Sequence, residues 1–279
     1  MARKRANLDE IKRFYAKLMT AASESEDPRL ERVFELVPRE AFVPPGPWRI
    51  WVNGRYIITP SADPVYLYQD ALVALDAPKG INNGQPSLHA AWIGAVAPQS
   101  GDAICHIGAG MGYYTAILSV LALPGGRVTA FEIEAGLAAR ASDNLQPFEN
   151  VAVIHGDATR LLLPRSDLIY VNAGVAAPPA SWLGALGPRG RMIFPWRPSD
   201  EVGLTLLVSR QEAGFKVTPL MQAWFIPCVG ACKTEGCTLV PDSAEACSVR
   251  SVWLRADKAP DATAVAVYED VWFSSASLP

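Results

Sequence analysis

Between Ala103 and Glu132 the chain passes from the apolar stretch Ala-Ile-Cys-His-Ile into the turn Gly108-Ala109-Gly110-Met111-Gly112, through an apolar helical stretch, and back into Val-Thr-Ala-Phe-Glu. This order predicts a first β-α-β unit. Glycines at alternate positions let the backbone turn sharply and expose bare amides that a ligand can approach with no Cβ in the way.

The spacing narrows the ligand. A dinucleotide fingerprint would place its third glycine three residues after Gly110, where Tyr113 stands, and no GxxxxGK[ST] phosphate cradle occurs. Nicotinamide, flavin and nucleoside triphosphate sites are therefore poorly supported. A G-x-G-x-G turn with an acid about twenty residues on, here Glu132, fits S-adenosylmethionine, because that carboxylate can accept both ribose hydroxyls. Taken alone, the turn is equally explained as a tight β-α connection with an incidental strand-end acid. Val151-Ala152-Val153-Ile154 then reads as a third strand followed by Gly156-Asp157-Ala158. Strand-end loops are where open α/β sheets bind ligands. An Asp there can accept from the adenine amino group while the adjacent amide reads a ring nitrogen. The candidate donor-binding set is His106, Gly108, Ala109, Gly110, Gly112, Tyr113, Glu132, Ile133, Asp157, Ala158 and Asn172. For His106, a strand-end histidine satisfied by backbone is an equal alternative.

With 279 residues, half of them hydrophobic, the chain can bury one large core or a core with a small appendage. A net charge of −3, from 25 Lys+Arg against 28 Asp+Glu, gives no global basic field for nucleic acid. Only the N-terminal Met-Ala-Arg-Lys-Arg is locally basic; Asp9 and Glu10 follow it rather than an apolar segment, so no signal peptide is expected. No apolar run approaches a membrane span. Five cysteines, an odd number, predict free thiols and a cytoplasmic location. Cys228, Cys232, Cys237 and Cys247 leave three, four and nine residues between successive members, unlike the paired knuckles of zinc sites, so no metal is expected. Trp182 and Trp196 are expected in the core.

Helical spacing of Leu8, Ile11, Tyr15, Leu18 and Met19 predicts an N-terminal helix over 8–19, and Pro28 begins a second that Pro38 ends. The Pro/Gly-rich segment 44–64, with Trp48, Trp51 and Tyr56, reads as a long loop holding a short hairpin. Pro86 opens a helix. Strands near 103–107, 127–132, 151–154 and 167–171 alternate with helices near 113–123, 134–144 and 158–163, which implies a doubly wound, mainly parallel sheet of seven strands. A helix over 178–186, the turn Gly187–Gly190 and the strand Arg-Met-Ile-Phe-Pro follow. Gly-Leu-Thr-Leu-Leu-Val-Ser-Arg and Phe-Lys-Val-Thr-Pro-Leu-Met-Gln-Ala-Trp-Phe-Ile-Pro read as an antiparallel closing pair, and extra strands follow near the C-terminus. The expected organisation is helices and a covering loop over 1–80, a donor-binding core over 81–230, and an extension over 231–279.

Several of these motifs together resemble one family. Val37-Pro38-Arg39 with Phe42-Val43-Pro44, Tyr68-Gln69-Asp70, Gln85-Pro86, Ile107–Tyr113, Glu132, Gly156-Asp157-Ala158, Gly187–Arg191 with Pro195, and Trp224–Pro227 occur in the order seen in protein-L-isoaspartate (D-aspartate) O-methyltransferases. The resemblance covers roughly residues 30–230. It implies a class I, Rossmann-like methyltransferase fold and methylation of a carboxylate with S-adenosylmethionine as the donor. It also implies that the positioning loop is Gly84-Gln85, with Asn82, Asn83 and His89 on the acceptor side. The family's Thr-Ile-Ser type loop, which brings a hydroxyl near the acceptor carboxylate, is here Asn82-Asn83-Gly84. Weak or absent isoaspartyl methylation is therefore expected, with Gly84 as the reason. Asn82 and Asn83 can donate to a carboxylate, or the Asn-Asn-Gly run can be a turn chosen for its backbone angles.

A carboxylate nucleophile is already anionic near neutral pH, so no general base is required. Orientation and removal of water are what the protein must supply. The partner expected is a peptide or small-molecule carboxylate, not nucleic acid or membrane. Two rivals stand beside this reading: an enzyme of the same fold acting on a small metabolite, and a non-catalytic donor-binding module.

Overall fold

A computed structural model describes residues 7–232 and 237–279. The basic N-terminal pentapeptide lies outside the described residues. Each of the first two helices starts on a capping side chain. Asn7 accepts from the Asp9 amide, with Glu10 returning to the Asn7 amide, to open α1 (Leu8–Ser23), and Asp27 accepts from the Arg29 amide to open α2 (Pro28–Leu36). Pro38 follows α2 as expected. Within segment 44–64, β1 (Arg49–Val52) and β2 (Arg55–Ile58) form the hairpin, closed by Asn53 and Gly54 at φ 46° and 82°. Positive φ at both central residues is what the twist of a two-residue hairpin turn requires. β3 (Ala74–Asp76) pairs with β4 (Ile81–Asn82), and Pro86 opens α3 (Pro86–Val96).

From there the alternation read in the sequence appears: β5 (Ala103–Ile107), α4 (Tyr113–Leu121), β6 (Arg127–Glu132), α5 (Ala135–Asn144), β7 (Val151–His155) and β8 (Ser166–Val171). The helix expected over 158–163 is absent; after one turn, in which the Arg160 and Leu161 amides donate to the Asp157 carbonyl, the chain runs without helix to Pro164. After α6 (Ala180–Ala185), β9 (Leu186–Trp196) carries the expected turn as a bulge: its register with β8 jumps from Ser166–Leu186 to Leu168–Arg191, and Arg189 stands at φ 63°. β10 (Leu204–Gln211) and β11 (Gly214–Gln222) are the expected antiparallel pair, followed by β12 (Ser251–Leu254), β13 (Ala264–Val267) and β14 (Val271–Ser274).

Among the described residues one ten-stranded sheet has the order β13-β14-β12-β11-β10-β9-β8-β5-β6-β7. β5, β8 and β9 pair parallel, and every pairing from β9 outward to β13 is antiparallel. The C-terminal segment thus lengthens the central sheet instead of forming a separate layer.

The chain divides into two compact units. One comprises the chain up to Gly101 with Ala109–Val128 and Glu134–Val153, the other Asp102–Gly108, Thr129–Ile133 and Ile154–Pro279. The second unit has a core of Ile169, Val171, Trp182, Phe194, Trp196 and Phe273 among others. Trp182 and Trp196 are fully buried, and their indole N–H groups donate to the Ala158 and Ala176 carbonyls at 3.0 and 2.9 Å. In the first unit, Val43, Trp48, Ile50, Leu67 and Val73 form a smaller cluster beneath the hairpin. No helix is long and apolar enough to cross a membrane among the described residues.

Candidate functional site

Three backbone hydrogen bonds bring the ends of four strands together in the second unit. Gly108 N–H donates to the Phe131 carbonyl at 2.9 Å, Gly156 to Glu132 at 2.9 Å, and Asn172 to Ile107 at 2.8 Å. Gly108, Glu132, Gly156-Asp157 and Asn172 therefore sit side by side at the carboxyl edge of the sheet. Gly108 has φ +79°, and a Cβ there would lie 3.3 Å from the Asn172 carbonyl. Only glycine takes this turn without strain while leaving the edge open. Glu132 is buried and Ile133 exposed, the Ile133 carbonyl meeting His155 Nε2 at 3.2 Å.

The Asp157 carboxylate holds its own turn: Oδ1 accepts from Thr159 N and Oγ1 at 2.9 and 2.7 Å, and Oδ2 lies 3.4 Å from Arg160 Nε. Two carboxylate oxygens offer about four lone-pair sites, which leaves capacity for a further donor. Ala158 is buried and its carbonyl is committed to Trp182.

His106 is corrected from donor contact to internal support. It is fully buried on β5, packs edge-on to Tyr170 with ring centroids 5.6 Å apart, and its Nε2 accepts from Asn172 Nδ2 at 2.9 Å. Burial pushes its pKa down from 6.5 to about 3, so the ring is neutral and carries its proton on Nδ1. The same bond fixes the Asn172 amide, whose buried Oδ1 has no hydrogen-bond partner. Because the folded pKa lies below the ordinary value, the unfolded chain binds the extra proton between them. The stability held by neutral His106 is present above pH 6.5 and is lost as pH falls toward about 3. His106→Gln is expected to remove up to about 1.4 kcal/mol per pH unit from the slope of unfolding free energy in that window. Urea unfolding of both proteins over the same pH series measures it, and parallel curves would show that His106 does not carry this linkage.

The glycine turn enters the first unit at Ala109. Gly110 has φ +58° and Gly112 φ +98°, and a Cβ on Gly112 would meet Leu145 Cδ1 at 2.8 Å. Gly112 caps α4, and Ala109 is buried with its carbonyl taken by the Gly112 amide at 2.9 Å. Tyr113, expected to touch the donor, has its side chain in the core, against Phe42 and Tyr114 with ring centroids 5.9 and 5.0 Å away. An aromatic in the first turn of a buried helix finds its partners there, so only its backbone remains for a ligand.

The acceptor loop is built from the same unit. Buried Arg39 donates from Nη1 to the Leu67 and Gln69 carbonyls at 2.6 and 2.7 Å and from Nη2 to Ala71 at 2.7 Å. This clamps the segment that carries Asp70. Asp70 accepts from the Ser87 amide at 2.8 Å, from Ser87 Oγ at 2.7 Å and from Gln85 Nε2 at 2.8 Å. A carboxylate from a distant loop thereby caps α3 and holds Gln85. Gln85 is exposed but its amide is committed. Both Arg39 and Asp70 stand in motifs visible in the sequence, but their roles depend on where loop 67–71 lies.

Asn82 Oδ1 accepts from the Gly84 amide at 2.9 Å, an Asx turn that sets Gly84 at φ +72°. Asn83 is buried and pairs with Val73, giving its amide to the Val73 carbonyl at 3.0 Å and accepting the Val73 amide on Oδ1 at 2.8 Å. Its Nδ2 has no partner. The turn reading of Asn-Asn-Gly is thus correct for the backbone, and Asn83 is corrected from acceptor contact to loop anchor. His89 is also corrected: it is buried and stacked on Tyr114 with centroids 3.7 Å apart, forming the wall against which Gly84 packs. At positions i and i+5 from Gly84, a helical histidine points back over the preceding turn, so the contact follows from helix geometry.

Cys105 and Cys228 are buried, Cys232 and Cys237 partly so, and Cys247 is exposed, all as free thiols. Burial raises the Cys228 thiol to about 12. Among the described residues no group of three or more His, Cys, Asp or Glu is placed to hold a metal.

A family model for protein-L-isoaspartate(D-aspartate) O-methyltransferase matches residues 17–233. A protein-L-isoaspartate O-methyltransferase of Rhodopseudomonas palustris is 32% identical over 216 residues, covering 76% of this chain and 89% of that protein. One of Aeropyrum pernix is 30% identical over 164 residues, 56% of this chain and 63% of that protein, so the match spans less than two thirds of that relative. A solved protein-L-isoaspartate O-methyltransferase superposes with a TM-score of 0.68 at 19% identity, covering 94% of this chain and 86% of the other. At that identity the likeness is one of fold, and it places the sheet among the Rossmann-like methyltransferases. Its coverage reaches into the strands beyond residue 230, which the sequence resemblance left out.

Proposed function

The chain belongs to the protein-L-isoaspartate(D-aspartate) O-methyltransferase family, and we propose that it transfers a methyl group from S-adenosylmethionine to a side-chain or main-chain carboxylate of a polypeptide. The observation that carries this reading is the row of Gly108, Glu132, Gly156-Asp157 and Asn172 along one sheet edge. It fits the donor on its own terms: Gly108 keeps the edge free of a Cβ, Glu132 is a carboxylate able to accept both ribose hydroxyls, and Asn172 keeps a buried oxygen in need of a donor.

When bound, the donor supplies an electrophilic methyl on a sulfonium. Every other task falls to the chain. Glu132 orients the ribose, Ile133 covers the adenine, and Asp157 with the Ala158 amide reads its polar edge. Asn172, held by His106, accepts from the donor's ammonium group. On the acceptor side, the Gly84 and Gln85 backbone and the Asn82 amide position the carboxylate, held in place by Asp70. The acceptor arrives ionised, so no side chain has to remove a proton.

Transfer of labelled methyl to an isoaspartyl peptide, against the same peptide with ordinary aspartate, tests the assignment. The expected result is base-labile methyl ester on the isoaspartyl peptide only. Donor binding without ester on either peptide would overturn it.

A further inference from the structure

The β1–β2 hairpin exposes four large apolar side chains, Trp51, Val52, Ile57 and Ile58. Strand alternation puts Arg49, Trp51, Tyr56 and Ile58 on one face, with Trp51 opposite Tyr56 and Arg49 opposite Ile58. Trp51 and Ile58 are 41% and 61% exposed, and the Trp51 and Tyr56 rings meet edge-on at 4.9 Å. Single exposed apolar residues are unremarkable; a contiguous aromatic and aliphatic strip on a hairpin is a binding surface in search of an occupant. The opposite face contributes Ile50 to the buried cluster beneath, which anchors β1, while its Val52, Arg55 and Ile57 are exposed.

Charge identifies the occupant. From Ala41 to Ala62 the chain has no acidic residue, and Arg49 and Arg55 both lie on the hairpin. Neither arginine has an ion-pair partner among the described residues, in a chain whose net charge is −3. Arg49 shares the face of Trp51 and Tyr56 while Arg55 projects on the other, and an unpaired guanidinium on an aromatic face suits a carboxylate flanked by apolar side chains.

The hairpin is also joined to the acceptor loop. Trp51 N–H donates to the Leu72 carbonyl at 2.9 Å, Ile50 bridges Val73, and Val73 exchanges hydrogen bonds with Asn83. One segment of chain, 72–73, separates β1 from the loop that positions the acceptor. We infer that the Arg49/Trp51/Tyr56/Ile58 face is a docking strip for the acceptor polypeptide, selecting an extended segment in which the methylated carboxylate has acidic and apolar neighbours.

This inference rests on the proposed activity, and its test separates the two. Two isoaspartyl peptides of equal length are compared, one flanked by Glu and Phe, the other by Lys and Ser, with wild type, Arg49→Glu and Trp51→Ser/Ile58→Thr. Charge reversal is expected to raise KM for the acidic peptide about five- to tenfold and to lower it for the basic one, with kcat unchanged. The apolar variant should raise KM for the Glu/Phe peptide only. Affinity for S-adenosylhomocysteine, measured by calorimetry, should stay the same in all three proteins. Equal KM values across proteins and peptides would overturn the docking strip. If wild type methylates neither peptide, the activity reading fails, and fluorescence anisotropy of the labelled peptides still decides the strip by the same pattern of affinities. Displacement of the labelled acidic peptide by equimolar single-stranded DNA would also overturn it, marking the hairpin as a nucleic-acid surface.

Discussion

Gly84→Ser is expected to lower the rate of methyl transfer by about a hundredfold, although it places a hydroxyl where the family resemblance implies one. The sequence alone suggests a gain, because Gly84 looks like a lost hydrogen-bond donor. The structure reverses the sign. Gly84 sits at φ +72°, and a Cβ there would collide with the His89 imidazole, 2.7 Å from its Cδ2. His89 cannot swing aside cheaply, since it is buried and stacked on Tyr114 at 3.7 Å. A non-glycine residue held left-handed costs about 1–3 kcal/mol by itself. Relieving the collision moves the Asn82–Gln85 loop, and a displacement of about 1 Å in a positioning group can cost on the order of 10² in rate. Gly84→Ala is the control, with the same Cβ and no hydroxyl. Equal losses in both variants, measured as kcat/KM on an isoaspartyl peptide, are the expected outcome. A serine variant faster than wild type would mean that the loop takes another shape with acceptor bound and that the missing hydroxyl matters after all.

Glu132→Ala weakens binding of S-adenosylmethionine and of its demethylated product by at least tenfold. Hydrogen bonds to a charged acceptor contribute about 1.5–3 kcal/mol, which is one to two decades in the dissociation constant. Glu132 ends β6, and its own carbonyl receives the Gly156 amide at 2.9 Å, so the backbone on which the carboxylate stands is fixed by the neighbouring strand. The loss should therefore appear in donor affinity and not as unfolding. Calorimetric titration gives the affinity, and a thermal melt of the ligand-free protein checks integrity. A change of less than threefold with an unaltered melt would remove Glu132 from the donor site.

What the sequence determined by itself is the part of this protein governed by local rules. Alternating apolar strands and helices, and Pro28 and Pro86 at helix starts, each act within a few residues, and these elements formed where their patterns lie, the helix expected over 158–163 excepted. Chain order likewise brought Gly108, Glu132 and Gly156-Asp157 to one sheet edge, because loops that follow the strands of a parallel sheet emerge at the same end. Only the tertiary structure decided how side chains far apart in sequence meet. It turned His106 into a support for Asn172, 66 residues away, and drew Asp70 onto Ser87 and Gln85. It also removed Tyr113, Asn83 and His89 from the surface. A residue's chemistry names what it can bond; burial and neighbours select which bond it makes, because an unpaired polar group inside costs about 1–3 kcal/mol and so takes the nearest partner the fold provides.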